Sequence, residues 1–378
     1  MRFGRLDFGR QLPAEVALLS RNLEFWPEFL EVTTDFATVD LETRFAPIPI
    51  WNARAVGLNF MKHGVSIGWS AFGARLSASG VRVIFGTDQT REPFEMATQL
   101  VPEVEQLLVA HGSVRLEVLL KHNHIKRAPG RTLCVWGQHD LDLYQETFPD
   151  AVNCVVTGSL RNGMHIRMNG LDPNRVPKKP ILFVSQYAGL RKEGPSISSH
   201  RNRVLRLIEQ HVARYCREQR LPLLVALRPP VSGTLELGQT ADEIRHFNSV
   251  FDGIELSFTN PSLRYSTYIA SDEADVTIGA PSGSLTESFA RGNKVLMVRQ
   301  VPESGTYMGF PLEGEWLLTE PSYGEFQIRL DFLRSENRAQ IAREWKSERE
   351  RMVGGGTTPD AVNFIHSLLG DAAKRSKP

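Results

Sequence analysis

Apolar runs of four or five residues alternate along this chain with longer stretches whose apolar positions recur at helical spacing. In the first half, Val81–Phe85, Val104–Ala110, Thr132–Trp136 and Val152–Val156 read as buried strands. Pro93–Leu100 and Asp140–Thr147 read as helices between them. The N-terminal part is more mixed. Leu12–Phe29 predicts a helix, Ala53–His63 an amphipathic helix with Val56, Phe60 and Met61 on one side, and Gly64–Trp69 a strand. Residues 167–180 are rich in Pro, Asn, Gly and Lys and read as a linker. The pattern then restarts, with strands at Ile181–Val184, Leu223–Leu227, Ile254–Phe258, Val276–Ile278 and Val295–Val298. Helices are predicted at Ser199–Gln219, Asp242–Val250, Ser262–Ser271, Tyr323–Met352 with a break near Ser335, and Pro359–Leu369. Strands alternating with helices imply parallel sheets covered on both faces. The chain therefore reads as two doubly wound α/β domains, 1–175 and 176–378, with helices ending the second.

Bulk properties narrow the classes. A length of 378 residues suits about two domains. Hydrophobic content of 41% and charged content of 23% are those of a globular protein. A formal net charge of +1 gives no global field for nucleic acid, which is not expected as a partner. No apolar run approaches the roughly 20 residues of a membrane span, and the N-terminus lacks a signal-peptide apolar stretch, so a cytoplasmic location is expected. Cys134, Cys154 and Cys216 form neither a zinc pattern nor a disulfide framework and read as structural thiols.

The most informative segment runs from Asp275 to Val298. A short strand enters a loop of small residues (Gly279, Ser282, Gly283, Ser284), and a helix and a second strand follow. The start of such a helix offers hydroxyls and backbone N–H groups to a phosphate. Glu287, three residues after Ser284, suits either a capping box with Ser284 or a ribose contact.

This segment resembles the donor-nucleotide loop of glycosyltransferases of the GT-B fold, which pair two Rossmann-like domains across a cleft. The ordered set Thr87-Asp88-Gln89, His111-Gly112-Ser113, Val135-Trp136-Gly137-Gln138, Gly158-Ser159-Leu160-Arg161, Leu227-Arg228, Glu243–Phe247 and Arg264-Tyr265-Ser266 narrows the likeness. It is similar to the bacterial surface carbohydrate biosynthesis proteins of GT-B glycosyltransferase type, over about residues 50–330. The resemblance implies transfer of a sugar from a nucleotide-activated donor, a CMP-sugar among the candidates, to a glycan or lipid-linked glycan of capsule or lipopolysaccharide type. Two departures leave the donor open. Arg228-Pro229 stands where capsule-type enzymes often have His-Pro, and the loop reads Ser-Gly-Ser.

In doubly wound sheets, ligands lie beyond the carboxyl ends of the strands. That rule selects Asp88 and His111 as candidate catalytic residues, either suited to take a proton from the acceptor hydroxyl. Asp88 equally suits a nucleophile or a helix cap, and His111 a cleft-edge hydrogen bond. Ser159, Arg161, Ser185, Gln186, Arg228, Tyr265, Ser282, Gly283, Ser284 and Glu287 are the candidate donor-binding set. Arg161 and Arg228 would face phosphate, whereas surface and ion-pair roles are the plain alternatives. Tyr265 suits a base stack or a core position. His122 and His124 lack companions for a metal site and read as solvated. No metal and no other cofactor are expected, because the nearest acidic pair, Asp140-Leu-Asp142, opens a helix. Lys126, Arg127, Arg131, Lys178 and Lys179 fall short of a lipid-binding patch, so membrane contact would be peripheral at most. Three rival readings remain: a nucleotide-sugar epimerase, a CDP-polyol phosphotransferase, and an inactive GT-B protein that only binds nucleotide or glycan.

Overall fold

The computed structural model describes residues 14–19, 26–40, 56, 58, 61–63, 67–87, 91–110, 112, 130–147, 153–172, 175–187, 197–228, 236–280, 282–298, 314–319 and 322–375. Asp88, His111, His122, His124, Lys126 and Arg127 lie outside them. The chain divides into two compact units, one ending at Met164 and regaining the chain at Pro359, the other holding His165–Thr358.

The first unit contains strands β1 (Val16–Leu19), β2 (Thr38–Asp40), β3 (Val83–Thr87), β4 (Glu105–Val109), β5 (Arg131–Val135) and β6 (Asn153–Val156). They form one sheet in the order β2-β1-β3-β4-β5-β6, every pair parallel. Helices α1 (Trp26–Val32), α2 (Ile67–Ser79), α3 (Arg91–Leu100) and α4 (Gln138–Thr147) lie between them, and α5 (Leu160–Asn169) follows β6 with the boundary between the units inside it. The reason is visible in burial. All five residues of β3 are buried, as expected when a parallel strand is covered on both faces. Phe94, Ala97 and Leu100 give α3 one apolar face at helical spacing.

Two expectations fail here. The stretch read as one helix, Leu12–Phe29, holds strand β1, and its helix starts only at Trp26. A four-residue run such as Val-Ala-Leu-Leu has no periodicity that separates a buried strand from a helix turn. Of Gly64–Trp69, read as a strand, the described part Ile67–Trp69 opens α2 instead. The Ala-rich continuation favours helix, and Ala71, Phe72, Ala74 and Leu76 are all buried. Helix α5 was not expected: the Gly158 turn (φ 85°) ends at Ser159, whose hydroxyl accepts from Asn162 N at 3.3 Å and caps it.

The second unit contains β7 (Lys179–Val184), β8 (Leu223–Ala226), β9 (Leu256–Phe258), β10 (Ala274–Gly279), β11 (Lys294–Val298) and β12 (Leu317–Leu318). Its all-parallel order is β12-β11-β10-β7-β8-β9. Counted from its own first strand this is 3-2-1-4-5-6, the dinucleotide-binding arrangement, with the switch point between β7 and β10. The helices are α6 (Ile197–Gln219), α7 (Glu236–Val250), α8 (Ser266–Glu273), α9 (Gly283–Ala290), α10 (Tyr323–Ser335), α11 (Arg338–Glu344) and α12 (Lys346–Met352). Val204, Ile208, Val212 and Tyr215 form the buried stripe of α6. The predicted break near Ser335 is the α10–α11 boundary, where Asn337 caps α11 by accepting from Ala339 N and Gln340 N.

The last helix, α13 (Asp360–Arg375), belongs to the first unit. His366 Nδ1 donates to the Val32 carbonyl at 2.8 Å, and Ala361, Val362, Ile365 and Leu369 are buried.

Candidate functional site

At the switch point of the second unit, β7 and β10 are paired with Gly279 opposite Val184. Their chains then part, β7 into Ser185-Gln186-Tyr187 and β10 into the loop that starts α9. A β-carbon on Gly279 would lie 3.2 Å from the Val184 carbonyl oxygen and 3.2 Å from Leu285 Cδ1. Both contacts are tight, so a side chain here would require the neighbouring atoms to give by a few tenths of an ångström. Gln186 Nε2 donates to the Ala280 carbonyl at 3.0 Å and stitches the two strand ends together.

Ser282 is the N-cap of α9, in extended conformation, and its hydroxyl accepts from Leu285 N at 3.3 Å. The Ser282 and Ser284 hydroxyl oxygens lie 3.2 Å apart. Helix geometry leaves the N–H groups of Gly283 and Ser284 without an intrahelical acceptor. The two N–H groups and the one hydroxyl proton not spent between the serines thus give three donors at the positive end of a helix, the usual ingredients of an anion site. The expected capping box between Ser284 and Glu287 does not form, because the helix starts one residue before Ser284 and Ser282 takes the cap. Glu287 is buried and accepts from the Tyr268 hydroxyl at 2.5 Å.

Arg228 follows β8 with its guanidinium exposed, and its Nη1 donates to the Tyr187 carbonyl at 3.0 Å. Ser185, Gln186, Arg228 and Ser282–Ser284 therefore lie along the carboxyl edge of this one sheet. Ser185 is buried and donates to the Glu243 carboxylate, which also accepts from Arg228 N at 3.4 Å. Glu243 is read from the sequence as part of a helix and of the motif set Glu243–Phe247, but not as a site residue. Burial pushes its carboxyl up, against the bonds from Ser185 and Arg228 N and the charges of Arg228 and His246.

Tyr265 is placed differently. It caps α8 in the left-handed region (φ 58°), is buried, and packs its ring against His165 (5.6 Å between centroids) and Tyr268 (5.5 Å). Arg264 lies over the same ring at 4.8 Å. Ser159 and Arg161 lie in the first unit, Ser159 as the buried cap of α5 and Arg161 in its first turn.

The other end of α9 is held by ions. Asp272, at the end of α8, accepts from Arg291 Nε at 2.8 Å, His165 Nε2 at 2.7 Å and Asn293 Nδ2 at 2.8 Å. Burial would raise the Asp272 carboxyl, but the Arg291 charge and the bonds from His165 and Asn293 outweigh it and hold it well below the carboxylate range. Burial lowers His165, against the Asp272 bond. Asn169 Nδ2 lies 3.2 Å from His165 Nδ1, so the neutral ring accepts there and donates from Nε2. Arg291 is also the C-cap residue of α9, where a cation complements the helix dipole.

Among the described residues no group of three or more His, Cys, Asp or Glu is placed to hold a metal ion. Asp140 and Asp142 lie in the first two turns of α4, where Asp142 accepts from Gln138. Among the same residues no helix is long and apolar enough to cross a membrane. Burial pushes Cys134, Cys154 and Cys216 up to about 12, so none is a ready nucleophile.

No protein-family model matches the sequence, and no curated protein matches it. Solved structures do match. A UDP-N-acetylglucosamine 2-epimerase from Rickettsia bellii superposes with a TM-score of 0.53 at 10% identity over 96% of each chain. The Methanocaldococcus jannaschii UDP-GlcNAc 2-epimerase, in complex with UDP-GlcNAc and UDP, gives 0.51 at 10% identity over 94% of this chain and 99% of its own. The Neisseria meningitidis enzyme bound to UDP-GlcNAc gives 0.50 at 12% over 94% and 99%. With its two parallel α/β sheets, the chain has the GT-B fold.

Proposed function

We propose that this protein binds a nucleotide sugar with its phosphate at the N-terminus of α9, and transfers the sugar to a glycan or lipid-linked glycan acceptor. The single observation behind this reading is the meeting of Ser185-Gln186 with Ser282–Ser284 at the β7/β10 switch point, held by the Gln186–Ala280 bond. The Gly283 and Ser284 N–H groups and the serine hydroxyl proton not spent between Ser282 and Ser284 would stabilise the charge that develops on the leaving phosphate. Arg228 would approach from the end of β8. This stabilisation needs no metal. Asp88 or His111 would take the proton from the acceptor hydroxyl. Arg161, Tyr265 and Glu287 remain candidates for the donor side, Tyr265 and Glu287 by shaping its wall from the buried side. The work would be done in the cytoplasm, at or near the inner face of the membrane, with the first unit as acceptor domain and the second as donor domain.

A second reading has its own support, since the structures named above are of UDP-GlcNAc 2-epimerases. Product analysis separates the two. The protein is incubated with labelled UDP-GlcNAc, other UDP-, GDP- and CMP-sugars, with and without a membrane fraction as acceptor. Label entering the lipid or polymer fraction supports transfer. A C2 epimer, carrying solvent deuterium and formed without acceptor, would replace transfer by epimerisation. Nucleotide bound with neither product would leave a binding protein.

A further inference from the structure

We propose that Glu243 is a positioning residue of the nucleotide site: its buried carboxylate ties the ends of β7 and β8 together and so sets Arg228 and Gln186 to meet the nucleotide. The inference rests on the nucleotide reading above. It starts from the helix pattern. Glu243 precedes Phe247 by four residues on α7, so both lie on the face turned to the sheet. Phe247 is fully buried there, with its ring 5.8 Å from Phe183 of β7 and 5.6 Å from Phe251. A carboxylate on such a face is costly, and an apolar residue would ordinarily pack there. Glu243 instead accepts from two strand ends at once: from the Ser185 hydroxyl just after β7 and from the Arg228 backbone N–H just after β8.

This arrangement commits Ser185. Its hydroxyl donates to Glu243 and its oxygen accepts from Tyr187 N at 3.1 Å. A hydroxyl has one proton, so Ser185 has none left for a phosphate. It acts through Glu243 and the Tyr187 turn rather than by touching the ligand. The Tyr187 carbonyl in turn holds the Arg228 guanidinium. Gln186, between these two anchored residues, reaches Ala280 on the α9 side. A closed circuit Glu243–Ser185–Tyr187–Arg228–Glu243 therefore surrounds the strand ends, and Gln186 connects it to the α9 loop.

The test is calorimetric titration of the full chain with UDP, or with whichever of CDP, GDP and CMP binds wild type more tightly. Glu243→Ala is expected to weaken binding about tenfold, which is about 1.4 kcal/mol. Glu243→Gln keeps an acceptor oxygen and is expected to restore most of the affinity. Ser185→Ala acts through the same circuit, so Ser185→Ala/Glu243→Ala should bind no more weakly than Glu243→Ala alone. Phe247→Leu, on the same helix face, should lower Tm without moving Kd, which separates positioning from packing. If Glu243→Ala does not fold, Ser185→Ala still reports, with weakened binding expected. Wild-type affinity in Glu243→Ala or in Ser185→Ala, or additive losses in the double variant, would overturn the positioning role alone. Failure of wild type to bind any of the four nucleotides would overturn the nucleotide reading, and this inference with it.

Discussion

Asp272→Ala is the substitution whose cost the structure defines best. The Asp272 carboxylate is the anion for Arg291, whose side chain is 0% exposed, and it accepts further bonds from His165 and Asn293. Its removal leaves the buried guanidinium without this carboxylate, beside the Ser271 hydroxyl at 2.8 Å and the Tyr268 carbonyl at 3.5 Å. Breaking a buried pair from one side costs about 3–5 kcal/mol. In a cooperative unit of about 150–250 residues, each kcal/mol lowers Tm by about 2–4 °C. The second unit should therefore melt about 6–20 °C lower, read by calorimetry as a shift of its own transition. Asp272→Asn keeps the acceptor shape but not the charge and should fall between. Because Asp272 holds the C-terminal end of α9 through Arg291, nucleotide-induced stabilisation should also shrink. A Tm within about 2 °C of wild type, below the shift expected for even 1 kcal/mol, would refute the reasoning, since it would mean that water or a rearranged partner replaces the carboxylate.

Three further outcomes are expected. Ser282→Ala removes the α9 cap and should cost about 1 kcal/mol in urea denaturation with an unchanged m-value; a gain in stability would contradict the cap. Gly279→Ala places a methyl 3.2 Å from the Val184 carbonyl and should cost about 1–3 kcal/mol while spreading the strand ends, so that nucleotide affinity falls with stability. The third concerns pH. Burial lowers His165 in the folded state, so the unfolded chain takes up its proton first as pH falls below the ordinary value of 6.5. This contribution is full above pH 6.5 and is lost as pH falls towards the folded value. The Asp272 contribution persists above 3.8 and is lost only at lower pH, since its folded value is depressed. Urea midpoints should therefore drop between about pH 7 and 5, with a shallower drop in His165→Gln; identical slopes would remove His165 from the account.

The second unit was more legible than the first, for physical reasons. Its alternation of strands and helices restarts cleanly after the linker, and the Asp275–Val298 segment reads as strand, loop, helix and strand without ambiguity. Val16–Leu19 and Ile67–Trp69 are too short to show a period, and there the surrounding fold decided between helix and strand. The rule that strand ends carry ligands located Ser185, Gln186, Arg228 and Ser282–Ser284, because it uses only chain order. It could not locate Glu243, which reaches the same edge from the middle of a helix 58 residues beyond Ser185. The Ser284–Glu287 spacing misled because the pattern Ser-Gly-Ser offers two caps two residues apart, and Ser282 is the one that the strand end delivers. Glu287 then serves Tyr268, a partner that local spacing does not reveal.

The most direct measurement is a thermal-shift titration of wild type and Ser282→Ala/Ser284→Ala with CMP, UDP, GDP and CDP, with and without magnesium. A nucleotide at 100 times its dissociation constant adds about 2.7 kcal/mol to the folded state. The account predicts stabilisation of wild type by at least one nucleotide, undiminished without magnesium and lost in the double variant. Equal stabilisation of both proteins would contradict the assignment of the phosphate to the start of α9, and no stabilisation by any nucleotide would contradict nucleotide binding itself.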